Sequence, residues 1–297
     1  MKTKLFVLFL FSFWSFVFAI PKAEKNALID LFNNTNGEQW VKSWDLSSPI
    51  SSWEGVVIEN NHVVSITLFN NNLNGSLPST IGDFKKLRVL NLAFNTINGE
   101  LPQELYTLQD LTTLRLGKNQ LNGTISNAVN RLEKLIVLDL FNNDISGELP
   151  SSIGDLKDLE TISLSYNNIN GLLPESIGKL NKLERLEIAY NHFEGQIPEI
   201  ISEIKSLKSF VIAGNSFSKK FPKNILKMPN LSVLQIQENN FDKKDLDMIA
   251  LTQSNLTLFD FNADVKHFIK IKKDLKDIYL NVETRTAETK FEDDEVN

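Results

Sequence analysis

The sequence predicts an α/β solenoid closed by a cap at each end, and three observations carry that prediction. A 24-residue period runs without insertion from Val63 to Ser254, giving eight units over residues 63–254. Its first apolar position falls at Val63, Leu87, Leu111, Leu135, Leu159, Leu183, Leu207 and Leu231. Positions four and six of each unit are apolar too, as at Leu90 and Leu92 or Leu138 and Leu140, which is the alternation of a short strand buried on one face. Position nine is asparagine every time: Asn71, Asn95, Asn119, Asn143, Asn167, Asn191, Asn215 and Asn239. A strand of about five residues cannot bury its apolar face alone, so the units must stack with their strands parallel, roughly 4.8 Å per rung.

Taken in chain order, residues 1–19 read as a secretory leader. Lys2 and Lys4 precede an apolar run from Leu5 to Phe18, broken only by Ser12 and Ser15, and Val17-Phe18-Ala19 supplies a cleavage site. The run is shorter than the roughly 20 residues a membrane span needs, and no second one follows, so no membrane span is expected in the mature chain. Residues 20–62 form the amino-terminal cap. Ala27, Leu28, Leu31 and Phe32 lie on one face of a helix that ends in Asn33-Asn34-Thr35-Asn36-Gly37, and Trp40, Trp44 and Trp53 are placed to cover the first rung.

Within each repeat the asparagine amide suits the inner corner, where it can both donate to and accept from backbone groups leaving the ladder, so a structural row is expected. Glycine at position thirteen (Gly75, Gly99, Gly123, Gly147, Gly171, Gly195) and proline at position sixteen (Pro78, Pro102, Pro150, Pro174, Pro198, Pro222) then turn the chain back, with no further regular strand expected before the next unit. At the carboxyl end Lys219 and Lys243 replace the glycine, and Leu256, Phe259 and Phe261 read as a last strand one residue out of register. Residues 255–282 form the closing cap, with a basic helix over Asp264 to Ile278, and the acidic residues 283–297 form a tail too poor in apolar side chains to order.

The signature N-x-L-x-G-x-I-P-x-x-I-G-x-L stands nearly complete in Asn167 to Leu180. On these lines the chain resembles the plant-type leucine-rich repeat family over roughly two thirds of its length. That resemblance implies a right-handed superhelix with the parallel sheet on the concave side, and recognition in place of chemistry. The stretch Trp44 to Ile58 also resembles the amino-terminal cap of that family, whose cysteine pair brackets a W-x-G-V core. Trp53-Glu54-Gly55-Val56 is present, but Ser51 and Ile58 stand where the cysteines belong, and the chain has none. Packing alone must hold this cap.

Composition narrows the function further. Removing Lys2 and Lys4 with the leader leaves 29 basic against 37 acidic residues, a net of −8, which disfavours nucleic acid and anionic membranes as partners. His62, His192 and His267 have no metal-ligand spacing, and no nucleophile has an adjacent base, so neither cofactor nor metal is expected and the chain reads as non-enzymatic. Asp139 and Glu187 share a strand position two rungs apart, about 10 Å, near the upper range for inverting glycosidases, but lack a visible enclosing cleft. The exposed strand positions are the better candidates for binding. Phe69 and Phe141 stand in a lane otherwise filled by small residues (Ala93, Gly117, Ser165, Ala189, Ala213), and Phe94, Tyr166 and Tyr190 flank it. Arg88, Arg115 and Lys118 precede Asp139, Glu160, Glu184 and Glu187 along the same face, with Arg185 the exception, a segregation that fits an extended dipolar peptide.

The expected partner is therefore a protein or peptide bound on the concave face, through Phe69, Phe94, Arg115, Lys118, Asp139, Phe141, Tyr166, Glu187 and Tyr190. The alternative is a glycan, or a polysaccharide hydrolase to be inhibited, met through the cap tryptophans. A third reading, ordering of ice, needs one flat lane of identical small polar groups, which neither position five nor position seven of the repeats supplies. The leader places the protein in the medium, at the cell surface or in the periplasm. Sequons at Asn33, Asn74, Asn122, Asn230 and Asn255 carry glycans only in a host that makes them.

Overall fold

The computed structural model describes residues 20–242, 256 and 258–260. The leader, the closing helix and the acidic tail expected from the sequence lie outside the described residues. Two compact units divide the chain, one reaching Ile145 and the other starting at Ser146.

In the first unit α1 (Lys22–Asn34) begins after Pro21 and buries Ala27, Leu28, Leu31 and Phe32, as its apolar spacing demands. It ends where the Thr35 N–H and hydroxyl both return to the Leu31 carbonyl and Asn36 turns left-handed. Trp40, Trp44 and Trp53 pack beneath it, all at most 5 % exposed. Trp44 stacks on Trp53 with ring centroids 4.9 Å apart and meets Trp40 edge-on at 4.8 Å. Each indole N–H finds a carbonyl, on Thr35, Glu54 and Asp45 respectively. The cap is thus closed by aromatic packing where the cysteine pair is missing.

Next come β1 (Val56–Glu59) and β2 (His62–Thr67), joined by Asn60 and Asn61 at φ 48° and 65°. Two left-handed residues are what a two-residue hairpin requires, and asparagine tolerates them. This antiparallel edge strand lies where the sequence offered only the end of a cap. The remaining strands are β3 (Asn74–Ser76), β4 (Val89–Asn91), β5 (Thr96–Glu100), β6 (Thr113–Arg115), β7 (Gln120–Asn122) and β8 (Val137–Asp139). From β2 on, the main sheet β1-β2-β4-β6-β8 is parallel with a 24-residue register, Ser65 beside Val89 and Val89 beside Thr113.

Regular strand does resume in the second half of the repeat, contrary to the sequence expectation: β3, β5 and β7 form a three-stranded parallel sheet of their own. The left-handed glycine redirects the chain without ending its extension, so backbone groups beside Gly75 and Gly99 pair across rungs, Gly75 opposite Ile97 and Gly99 opposite Leu121. Short 3-10 turns follow at Ser79–Asp83, Gln103–Thr107 and Asn127–Arg131. Proline opens the first two. Ser126 takes that place in the third and caps the turn with its hydroxyl, which accepts from the Ala128 N–H at 3.2 Å.

The second unit repeats this plan with β9 (Ser146–Glu148), β10 (Thr161–Ser163), β11 (Asn168–Leu172), β12 (Arg185–Glu187), β13 (His192–Gly195), β14 (Ser209–Val211), β15 (Ser216–Lys219), β16 (Val233–Gln235), β17 (Asn240–Phe241) and β18 (Leu258–Asp260). Its main sheet runs β10-β12-β14-β16-β18 and its lateral sheet β17-β15-β13-β11-β9. Val233 pairs with Leu258, an offset of 25 residues where the other rungs keep 24, so the last strand is displaced by one residue. In both units the core is the stack of repeat leucines and isoleucines, including Leu87, Leu111, Leu159 and Leu183 at 0 % exposure. At about 1.5–3 kcal/mol for each large apolar side chain, this burial is the main support of the array.

Candidate functional site

The sheet face is shaped by what the asparagines do. Asn95 accepts at Oδ1 from the Asn71 and Leu73 N–H groups, each at 2.9 Å, while Nδ2 donates to the Leu68 and Leu92 carbonyls, each at 2.9 Å. Asn119 in the first unit and Asn191 and Asn215 in the second repeat this bridging of neighbouring rungs. Asn71 turns to the cap, accepting from the Lys42 N–H at 2.7 Å.

To bring each asparagine inward, the residue before it takes a left-handed backbone. In the first unit these are Asn70, Phe94, Lys118 and Asn142, at φ 49–60°. In the second they are Tyr166, Tyr190, Gly214 and Glu238. Asparagine and glycine adopt this region readily, whereas a bulky side chain there costs of order 1 kcal/mol or more. Alternation alone does not reveal this. The signal that could have was the recurrence of Asn70, Asn142 and Gly214 in the lane that also holds aromatics.

On this frame the first unit assembles an aromatic and cationic patch. Phe69 is 39 % exposed, and its ring centroid lies 4.9 Å from that of Phe94. The Lys118 ammonium sits 5.3 Å from the centre of the Phe94 ring, a cation–π distance. Arg115 on β6 and Asp139 on β8 are both half-buried one lane away, and Asp139 accepts from the Phe141 N–H at 3.1 Å. Phe141, half-buried, is less open than Phe69.

In the second unit Tyr166 and Tyr190 stack with centroids 4.6 Å apart. Tyr190 leans on an apolar group of Ala189, Val211 and Ala213. Gly214 makes room for that ring, since a Cβ there would lie 2.4 Å from it. Glu187 is buried, with Arg185 at 3.4 Å.

Two sequence expectations change. The charge segregation loses members, because Arg88 is paired with Glu59 at 2.6 Å and Glu184 with Lys208 at 2.7 Å. The alternative of a glycan met through the cap loses its surface, because the tryptophans are buried with their N–H groups satisfied, as covering the first rung requires. Among the described residues no three His, Asp or Glu side chains cluster to hold a metal ion, and no helix is long and apolar enough to cross a membrane.

Comparison with known proteins agrees with this geometry. A family profile described as a leucine-rich repeat region matches residues 118–259, and one described as a leucine-rich repeat matches residues 86–108. Among solved structures, that of PEPR1-AtPEP1 is similar over 74 % of this chain and 32 % of its own, with 28 % identity and TM-score 0.69. The Arabidopsis receptor kinase HAESA, in complex with the peptide hormone IDA and the co-receptor SERK1, is similar over 64 % of this chain and 32 % of its own, with 28 % identity and TM-score 0.59. The present chain thus spans about a third of the length of those two. A plant ice-binding protein shares the fold over 82 % of this chain and 87 % of its own, at 21 % identity and TM-score 0.66.

Proposed function

This chain belongs to the leucine-rich repeat family, and from that premise we propose that it is a non-enzymatic recognition protein, acting outside the cytoplasm, that binds a protein or peptide segment on its sheet face. The observation that carries the reading is the patch of Phe69, Phe94 and Lys118: two phenylalanine rings in contact and an ammonium group over one of them, on a face where the neighbouring lane residue is alanine or glycine. Aromatic side chains give contact area at low entropic cost and dominate the energy of many interfaces. Arg115 in the adjacent lane and Lys118 bias the partner toward a segment that carries an acidic residue beside an apolar one. The similar Arabidopsis receptor kinase HAESA, whose structure holds the peptide hormone IDA, supports a peptide as the ligand.

Arg115, Asp139 and Phe141 are proposed as further contacts in the first unit, and Tyr166 and Tyr190 in the second, where Glu187 is buried beneath the surface a partner would meet. A peptide-display library panned on the full chain tests the reading. Enriched sequences are expected to share an apolar and an acidic residue, and to lose at least tenfold in affinity for a Phe69→Ala, Phe94→Ala variant of unchanged circular dichroism. Enrichment that is indifferent to both phenylalanines would refute the site.

A further inference from the structure

The turn side of the seventh repeat carries a feature that sheet-face recognition does not use. From Ile204 to Gln237 the chain contains no aspartate or glutamate across 34 residues, in a protein with 37 acidic side chains, and the same stretch holds six lysines. Four of them, Lys219, Lys220, Lys223 and Lys227, fill positions thirteen, fourteen, seventeen and twenty-one of the repeat, and all four are exposed. In repeats one to six those four positions hold at most one basic residue, Arg131 in the third and Lys179 in the fifth.

Backbone geometry marks the row as more than a solvated edge. Position thirteen is a left-handed glycine in the six preceding repeats, with φ between 75° and 135°. Lys219 keeps that conformation at φ 65° although its side chain opposes it. Elsewhere on the turn side Lys86 and Lys134 sit on Asp110, Lys182 on Asp158 and Lys179 on Asp155, while Lys85 and Lys157 donate to the Thr107 hydroxyl and the Gly154 carbonyl. Among the described residues no carboxylate lies within ion-pair distance of Lys219, Lys220 or Lys227.

We propose that this row, from Lys219 at the end of β15 through the 3-10 turn at Lys223–Lys227, binds an anionic polysaccharide chain laid along the seventh rung. At about 3.3 Å per extended residue and 2.0 Å per 3-10 residue the row spans roughly 20 Å. On the preceding rung Glu199 and Glu203 occupy the positions of Lys223 and Lys227, whereas Gly195 and Gln196, which precede Lys219 and Lys220, are neutral. A line of cations edged by anions accepts a single polymer chain and repels a charged plane, which argues against an anionic bilayer. Lys243 and Lys244 repeat the Lys219-Lys220 pair in the sequence of the eighth repeat. The overall charge of −6 opposes such a ligand only at long range, since charges more than about 10 Å away are screened at 0.1 M salt.

Affinity chromatography of the full chain on immobilised dextran sulfate, with neutral dextran as control, tests the proposal. Wild type is expected to be retained at 0.1 M salt on dextran sulfate alone. A variant with all four lysines changed to glutamine should bind at least tenfold more weakly, with the slope of log affinity against log salt reduced by about three to four. Lys219→Gly separates charge from fold: it restores the residue of the other repeats, so its melting temperature should hold or rise while its affinity falls. The Phe69→Ala, Phe94→Ala variant should bind dextran sulfate as wild type does, which keeps this site independent of the sheet face. Equal retention of wild type and the quadruple variant would overturn the proposal. So would binding to phosphatidylglycerol vesicles as tight as to dextran sulfate and equally dependent on the four lysines, which would make the row a membrane contact.

Discussion

A single amide in this protein satisfies several backbone groups at once. Asn119 donates to the Leu92 carbonyl at 3.0 Å and the Leu116 carbonyl at 2.9 Å, and accepts from the Ile97 N–H at 2.9 Å. Truncating it to alanine strands buried donors and acceptors on two rungs, each worth about 1–3 kcal/mol. Asn119→Ala is therefore expected to lose about 2–4 kcal/mol in chemical denaturation, far more than a change at exposed Asn122. Charge at the residue scale is weaker. Asp110 lies between Lys134 at 2.6 Å and Lys86 at 3.1 Å, and their hydrogen bonds, that of Lys134 foremost, hold its carboxyl below the usual 3.8. A lowered acid contributes stability above its unfolded value and loses it as pH falls through the folded one. The stability difference between wild type and Asp110→Asn, about 1 kcal/mol or less for a solvent-accessible ion pair, should persist from pH 7 to about pH 5 and shrink on further acidification.

At the scale of elements, the joint between α1 and β2 rests on a residue with no apolar periodicity to announce it. Glu24 is 2 % exposed and accepts from the Val63 N–H at 2.7 Å, with the His62 Nδ1 at 2.6 Å. Glu24→Ala leaves the first core strand without that partner, so hydrogen exchange in α1 should accelerate and about 2–3 kcal/mol of cap stability should be lost. The 3-10 turns have a comparable dependence on small residues. A Cβ on Gly154 would stand 2.2 Å from the Ser176 carbonyl oxygen of the next turn, a backbone atom that cannot step aside. Gly154→Ala should consequently destabilise the second unit by about 1–3 kcal/mol, read as a lower midpoint in urea. A repeat signature shows that glycine recurs there. Only the stacked turns show that the next rung occupies the space.

For the molecule as a whole, the left-handed lane connects stability to recognition. Phe94 holds a bulky side chain in a backbone region where Asn70 and Asn142 sit without strain. Phe94→Asn is therefore expected to keep or raise the melting temperature while weakening a peptide selected on the sheet face. A loss of stability without loss of binding would make Phe94 a packing residue only. The sequence by itself determined the repeat length, the strand faces, the core leucines, the asparagine row and the helical cap. Each of these follows from periodicity, and a repeated unit states its buried positions eight times over. Tertiary structure alone decided that a second sheet forms beyond each glycine, that Arg88 and Glu184 are already paired, and that Phe69, Phe94 and Lys118 meet. Those outcomes depend on how one rung lies upon the next, a distance of a few ångströms between residues about 24 apart, and no pattern read along the chain contains it.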